Sequence, residues 1–188
     1  MDSRGSRVGV VAVAAVGLLA GCGSDDRPDA GFADEAVTDA QPPAEIRAWM
    51  DRLTVDHEYD PETGFIVAKE VVSLPAVIAA GQEATELIGM PGSGLVVVFA
   101  TADRCAPCQQ YKKSALNDKA VIEMLSRPGV RAVHVEVDRQ PELAASRLGS
   151  KAIPLTYLFD DGVRVAELRG QRSADELLDW LGQFDPES

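Results

Sequence analysis

"LVVVFATADRCAPC", residues 95–108, decides how this chain is read. Leu95 to Ala100 is an unbroken apolar run, the pattern of a strand buried on both faces. Two cysteines spaced three apart follow, with Pro107 between them, and lead into a helix predicted to reach about Leu125. At such a junction the free amides and dipole of the helix N-terminus favour a thiolate, lowering the first thiol below the roughly 8.5 of a free cysteine. That makes Cys105 the candidate nucleophile. One turn further on, Cys108 lies on the same side and can attack a mixed disulfide formed by Cys105, which makes it the candidate resolving thiol. Pro107 suits the first helical turn, where its missing N–H breaks no bond.

Outward from this junction the pattern alternates. Gly64 to Val72 suits a strand, and Pro75 to Gly89 a helix opened by proline and closed by glycine. Downstream, Val130 to Val137 alternates as a strand and Pro141 to Leu148 reads as a short helix. Pro154 interrupts, then two strands are joined by an Asp161-Gly162 hairpin turn. Ser173 caps a last amphipathic helix bearing Leu177, Leu178 and Leu181. The fold class expected is α/β, a central mixed β-sheet flanked by helices. Ala44 to Leu53 sets Ile46, Trp49, Met50 and Leu53 on one helical face and is expected to add an N-terminal helix to this domain.

The beginning of the chain has a different character. Arg4 and Arg7 precede the apolar run Val8 to Ala20, which is too short for the roughly 20 residues that cross a bilayer. The run closes on "LAGC", residues 19–22, which resembles a bacterial lipobox. By that resemblance residues 1–21 are a lipoprotein signal peptide and Cys22 is lipidated. Two or more acyl chains anchor stably, at about 0.8 kcal/mol per buried methylene. The alternatives are a plain secretory signal or an uncleaved segment with an incidental cysteine, and each of these exports the rest of the chain. Residues 22–43 are rich in Asp, Ala, Gly and Pro, and read as a flexible acidic tether. The domain proper is expected over 44–188. Net charge is −12, from 30 acidic against 18 basic residues, which argues against nucleic acid as a partner.

The domain resembles the thioredoxin family, from about Gly64 to Phe184. The resemblance rests on "CAPC" after a buried strand, on "VEVDRQPELAASRLGSKAIPLTYLF" (135–159), and on "DGVRVAELRG" (161–170), in that order. "ADRCAPC" with "ALND" most resembles the membrane-tethered or periplasmic thiol:disulfide interchange branch. The resemblance implies a thioredoxin fold, a Cys105–Cys108 disulfide, and a cis Ile153-Pro154 bond lying against the pair. It also implies that Ile153, Arg104, Ala106 and Pro107 face the substrate, while Pro154 shapes the groove and keeps metal from the sulfurs. No cofactor is implied. The partners implied are exported proteins with thiols or disulfides, a membrane electron donor and, through Cys22, the lipid membrane, with the protein acting as a monomer.

Two positions depart from the family. Arg104 stands where many thioredoxins have tryptophan; a cation there either favours the Cys105 thiolate or is a solvated surface residue. The strand before the motif carries Val98 and Phe99, with no buried aspartate to take the proton of Cys108. His134 and Glu136 share a face of the next strand, and His134, ahead of Glu136, is the candidate replacement; the alternative is a histidine satisfied by hydrogen bonds alone.

Other uses of the cysteine pair are weaker. A zinc site needs four ligands, and the only histidines are His57 and His134. As a staple, so short a loop constrains little unfolded chain. The expectation is therefore an extracytoplasmic, lipid-anchored thiol-disulfide oxidoreductase, with the reductase direction favoured because Pro107 and Ile153 resemble reducing thioredoxins. The competing reading is a non-catalytic binding or redox-sensing module.

Overall fold

In a computed structural model of the protein, the structure describes residues 41–149 and 152–184. The expected signal, Cys22 and the tether up to residue 40 lie outside the described residues. In chain order the elements are α1 (Ala44–Met50), β1 (His57–Asp60), β2 (Phe65–Ala68), β3 (Ile78–Ala80), α2 (Gln82–Leu87) and β4 (Leu95–Thr101). Then come α3 (Ala106–Tyr111), running on as a π-helical turn over Lys112–Leu116, α4 (Lys119–Leu125) and β5 (Val130–Glu136). The last are α5 (Pro141–Leu143) with its π-helical turn Ala144–Leu148, β6 (Leu155–Asp160), β7 (Val163–Arg169) and α6 (Ala174–Gly182).

The sheet has the order β3-β5-β4-β6-β7. Strands β3, β5 and β4 run parallel, β6 antiparallel to β4, and β7 antiparallel to β6. The apolar run puts β4 in the middle, and Val96, Val97, Val98 and Phe99 are all fully buried. Because successive strand side chains point to opposite faces, that run feeds two cores. Val97 and Phe99 pack with Tyr111, Leu116, Leu125 and Leu177. Val96 and Val98 pack on the other side with Ala84, Ile88, Leu148 and Tyr157. Each large apolar side chain so buried contributes about 1.5–3 kcal/mol. The expected central mixed sheet flanked by helices is the fold observed.

Helix starts follow local chemistry. The Asp118 carboxylate accepts from the N–H groups of Ala120 and Val121 and opens α4. Ser173 and Glu176 form a reciprocal capping box at the start of α6. In the β6–β7 turn, Gly162 has φ +81°, and a Cβ there would stand 2.8 Å from the backbone of Gly89. Only glycine fits that approach.

Three expectations are corrected. The helix expected from the cysteine pair to about Leu125 ends at Leu116, and α4 starts anew after the Asp118 cap. The single helix expected over Pro75 to Gly89 is a short edge strand, β3, followed by the six-residue α2. Ile78 and Ala79 pair with Ala132 and Val133 of β5, and Gly81 at φ +69° separates strand from helix. The strand expected over Gly64 to Val72 is confined to Phe65–Ala68 and lies outside the central sheet, paired with β1 in a hairpin. Strand β1 was not foreseen, because "HEYD" carries no apolar alternation.

Register gathers the interesting loops. Thr101 stands opposite Glu136, and Ala80 opposite His134, at the carboxyl ends of the parallel strands. Ala100 is paired with Leu155, so the antiparallel β6 brings residues 152–154 to the same end. In sheets with parallel strands this end is the usual place for binding and chemistry.

Candidate functional site

Beyond Thr101 the chain leaves the sheet and turns into α3, with Cys105 as the N-cap residue. Cys105 and Cys108 are joined by a disulfide, with their Cα atoms 5.1 Å apart. The N–H of Cys108 donates to Sγ of Cys105 at 3.2 Å. Cys108 is fully buried, whereas Cys105 is half-buried. A partner thus meets Cys105 first, and Cys108 is reached only through it.

Two unlike segments reach this end of the sheet. In one, the Ile153-Pro154 peptide is cis, Pro154 is buried and Ile153 half-buried. The Pro154 carbonyl accepts from the N–H of Gly170 at 2.9 Å, which ties the loop to the end of β7. In the other, Val67 forms an isolated antiparallel bridge with Cys105, and the N–H of Ala68 donates to the Arg104 carbonyl at 2.9 Å. The Arg104 side chain is exposed and Pro107 half-buried. Ala106, expected to face substrate, does not: it is fully buried in a small core with Leu53, Val55 and Ile66. Hairpin β1–β2 and the segment before it cover that side.

Behind the loop lies a buried polar cluster. Lys112 is only 2% exposed, with Nζ 3.5 Å from Oδ1 of Asp103 and 4.0 Å from Oε2 of Glu136. Oε1 of Glu136 accepts from the backbone N–H of Asp103 at 3.0 Å, whereas Oε2 is buried with no hydrogen-bond partner. Arg139 pairs with Asp103 from the exposed side. Nε2 of His134 and the Thr101 hydroxyl share a hydrogen bond of 2.7 Å. Asp103, His134, Glu136 and Arg139 help line a cavity of about 330 Å³ that opens beside Gly81 and Gln140.

Burial decides the protonation states. Desolvation, and secondly the Lys112 ammonium, push His134 down to about 4, so it is neutral at physiological pH. Its 3.9 Å approach to Glu136 is then no ion pair. Desolvation raises Glu136 to about 7, with Asp103 and Asp138 adding to the rise and the Asp103 N–H and Lys112 opposing it. Of the two candidates, His134 is thus held neutral and Glu136 is the one whose titration is moved toward neutral pH.

The sequence reading overlooked Gln109 and Lys112. Gln109 is fully buried, and its side-chain amide donates to the carbonyls of Ala102 and Asp103, at 3.1 and 3.0 Å. Lys112 carried a usable signal, since it stands four residues after Cys108 and so shares its helical face. Gln109 carried none. Among the described residues, no group of three or more His, Cys, Asp or Glu side chains is placed to hold a metal.

A disulfide at a strand-to-helix junction, with one sulfur reachable and one buried, on a mixed sheet of this order, defines the class: a thiol-disulfide redox protein of thioredoxin fold. The thioredoxin-like domain model matches residues 81–185, more than half of the chain. The chain belongs to the thioredoxin-like domain family. Among solved structures, it is similar to a thioredoxin from Thermus thermophilus, at 23% identity over 59% of this chain and 89% of that one, with a TM-score of 0.48. It is similar also to a thioredoxin from Nicotiana alata, at 23% identity over 59% of this chain and 95% of that one, with a TM-score of 0.46. For thioredoxin O2 from Arabidopsis thaliana in its oxidised state, the values are 23%, 59%, 97% and 0.46. No curated protein matches the chain.

Proposed function

We propose that the protein is an extracytoplasmic, lipid-anchored thiol-disulfide oxidoreductase that reduces disulfides of exported proteins through Cys105 and Cys108. The observation that carries this reading is the unequal exposure of the linked sulfurs, with Cys105 half-buried and Cys108 fully buried. In the reduced state the Cys105 thiolate attacks a substrate disulfide, forming a mixed disulfide and releasing one substrate thiolate. Cys108 then gives up its proton and attacks Sγ of Cys105. The second substrate sulfur leaves as a thiol, and the Cys105–Cys108 disulfide forms. Two electrons pass to the substrate, so a membrane electron donor must restore the dithiol.

In this scheme Glu136 takes the Cys108 proton, since its buried Oε2 has no hydrogen-bond partner, with the Lys112 ammonium 4.0 Å away. Ile153 and Pro154 form the substrate edge, and exposed Arg104 contributes charge selection. Cys22 supplies the lipid anchor. Among the described residues no helix is long and apolar enough to cross a membrane.

Insulin reduction tests the enzymatic reading. Cys105→Ser should abolish turnover, and Cys108→Ser should accumulate the mixed disulfide with substrate. Turnover that survives Cys105→Ser would instead make the pair a sensor on a binding module. For the anchor, the test is detergent-phase partition and incorporation of a palmitate analogue, both of which Cys22→Ala should remove. The reduction potential of the pair fixes the direction.

A further inference from the structure

The segment that covers Ala106 is fastened to the redox helix at points well separated along it. Near its start, the N–H and hydroxyl of Thr54 both donate to Oε1 of Gln110, at 2.7 and 3.0 Å. Lys113 donates to the Thr54 carbonyl at 2.9 Å. Near its end, the N–H of Val72 donates to Oε1 of Gln109 at 2.7 Å, and Asn117 donates to the Ser73 carbonyl at 2.9 Å. Between these lie the Ala68 bond to Arg104, the Val67–Cys105 bridge and the apolar contact of Ile66 with Ala106. Ile46 and Met50 of α1 pack against the same cluster.

Gln109 links this covering to the chemistry. Its Oε1 holds Val72, while its Nε2 holds the Ala102 and Asp103 carbonyls just before Cys105. One buried side chain therefore fixes both the cover and the loop that delivers the nucleophile.

We propose that residues 44–73 are a clamp that shuts the Ala106 flank of the redox pair and leaves Cys105 open along the Ile153–Pro154 flank alone. Gln109 is its positioning residue. The clamp admits disulfides carried on extended, exposed polypeptide segments and turns away those set in bulky folded surfaces. This rests on the oxidoreductase reading for the identity of the partner, but its test does not.

The test is the alkylation rate of Cys105 in the reduced full chain, with iodoacetamide as the small reagent and a maleimide on a long polyethylene glycol chain as the bulky one. Two variants undo the clamp by different routes. Gln110→Ala with Lys113→Ala removes the bonds to Thr54, and Ala68→Pro removes the donor to Arg104. The first variant loses three hydrogen bonds and the second one, and the bulky-to-small rate ratio should rise about tenfold in either. A ratio unchanged in both, with folding confirmed by circular dichroism, overturns the proposal. So does an equal rise in both rates, which reports thiol ionisation and not access. Alkylation requires no substrate and no turnover, so a failure here is separate from a failure of the insulin assay.

Discussion

The two ends of β4 are built on opposite principles. From Val96 to Phe99 every side chain is apolar and fully buried, feeding one core on each face of the sheet. From Thr101 on, the burial continues, but polar side chains join the apolar ones: Thr101, Gln109, Lys112, His134 and Glu136 are all buried. Burial of apolar groups is stabilising on its own terms, whereas buried charges stabilise only when paired, and their desolvation offsets most of the gain. The middle of the strand therefore holds the fold, and its end is where stability is given up to bury titratable groups.

The largest effect that sharpens this contrast is in the middle. Phe99→Ala deletes a fully buried ring packed edge-on against Tyr111, with ring centroids 6.3 Å apart. Denaturant unfolding should show a loss of about 3–5 kcal/mol. The pH profile of insulin reduction should keep its shape. If that profile moves, the two ends are not separable.

At the polar end, Lys112→Met fills similar volume but removes the cation that Asp103 and Glu136 share. Glu136 then loses its cation while Asp103 keeps Arg139, so the loss should stay near or below the lower end, about 3 kcal/mol, of that measured on breaking buried pairs. Unlike Phe99→Ala, it should also move the Glu136 titration, because Lys112 holds that carboxyl down. The inflection in resolution rate should rise above about 7. An unmoved inflection would assign it to another group.

The same contrast explains what was legible in the sequence. The apolar end could be read directly, since Leu95 to Ala100 has only one comfortable place in an α/β fold, and the β6–β7 hairpin followed from Asp161-Gly162. The polar end could be read only in part. His134 and Glu136 were visible as a pair by strand spacing, but which of them titrates usefully depends on Lys112, brought from another element, and on depth of burial. The clamp was least legible. "HEYD" and "FIVA" pair with each other and with the Arg104–Cys105 backbone, and main-chain pairing leaves little trace in side-chain pattern. Ala106 was misjudged for that reason, because its own identity says nothing of what lies above it.

The smallest effects follow from His134 and Glu136 pulling stability in opposite directions with pH. His134 titrates near 6.5 unfolded but about 4 folded, so its contribution is present above 6.5 and is lost as pH falls through 4. Glu136 has the reverse sign. Its folded value of about 7 exceeds its ordinary 4.5, so its contribution is full below 4.5 and is lost as pH rises through 7. Each slope is at most about 1.4 kcal/mol per pH unit, and between pH 4.5 and 6.5, where the two windows overlap, they largely cancel. His134→Asn should unmask the Glu136 slope, giving a protein that loses stability as pH rises over this range. Glu136→Gln keeps an acceptor for the Asp103 N–H and should unmask the His134 slope, with stability falling as pH drops. At pH 8 that second variant should also be more stable than the parent, by about 1 kcal/mol, since no buried charge remains at that position. Urea midpoints across pH 4–8 check all three outcomes. Parallel curves for the two variants would mean that the end of β4 is no more finely balanced than its middle.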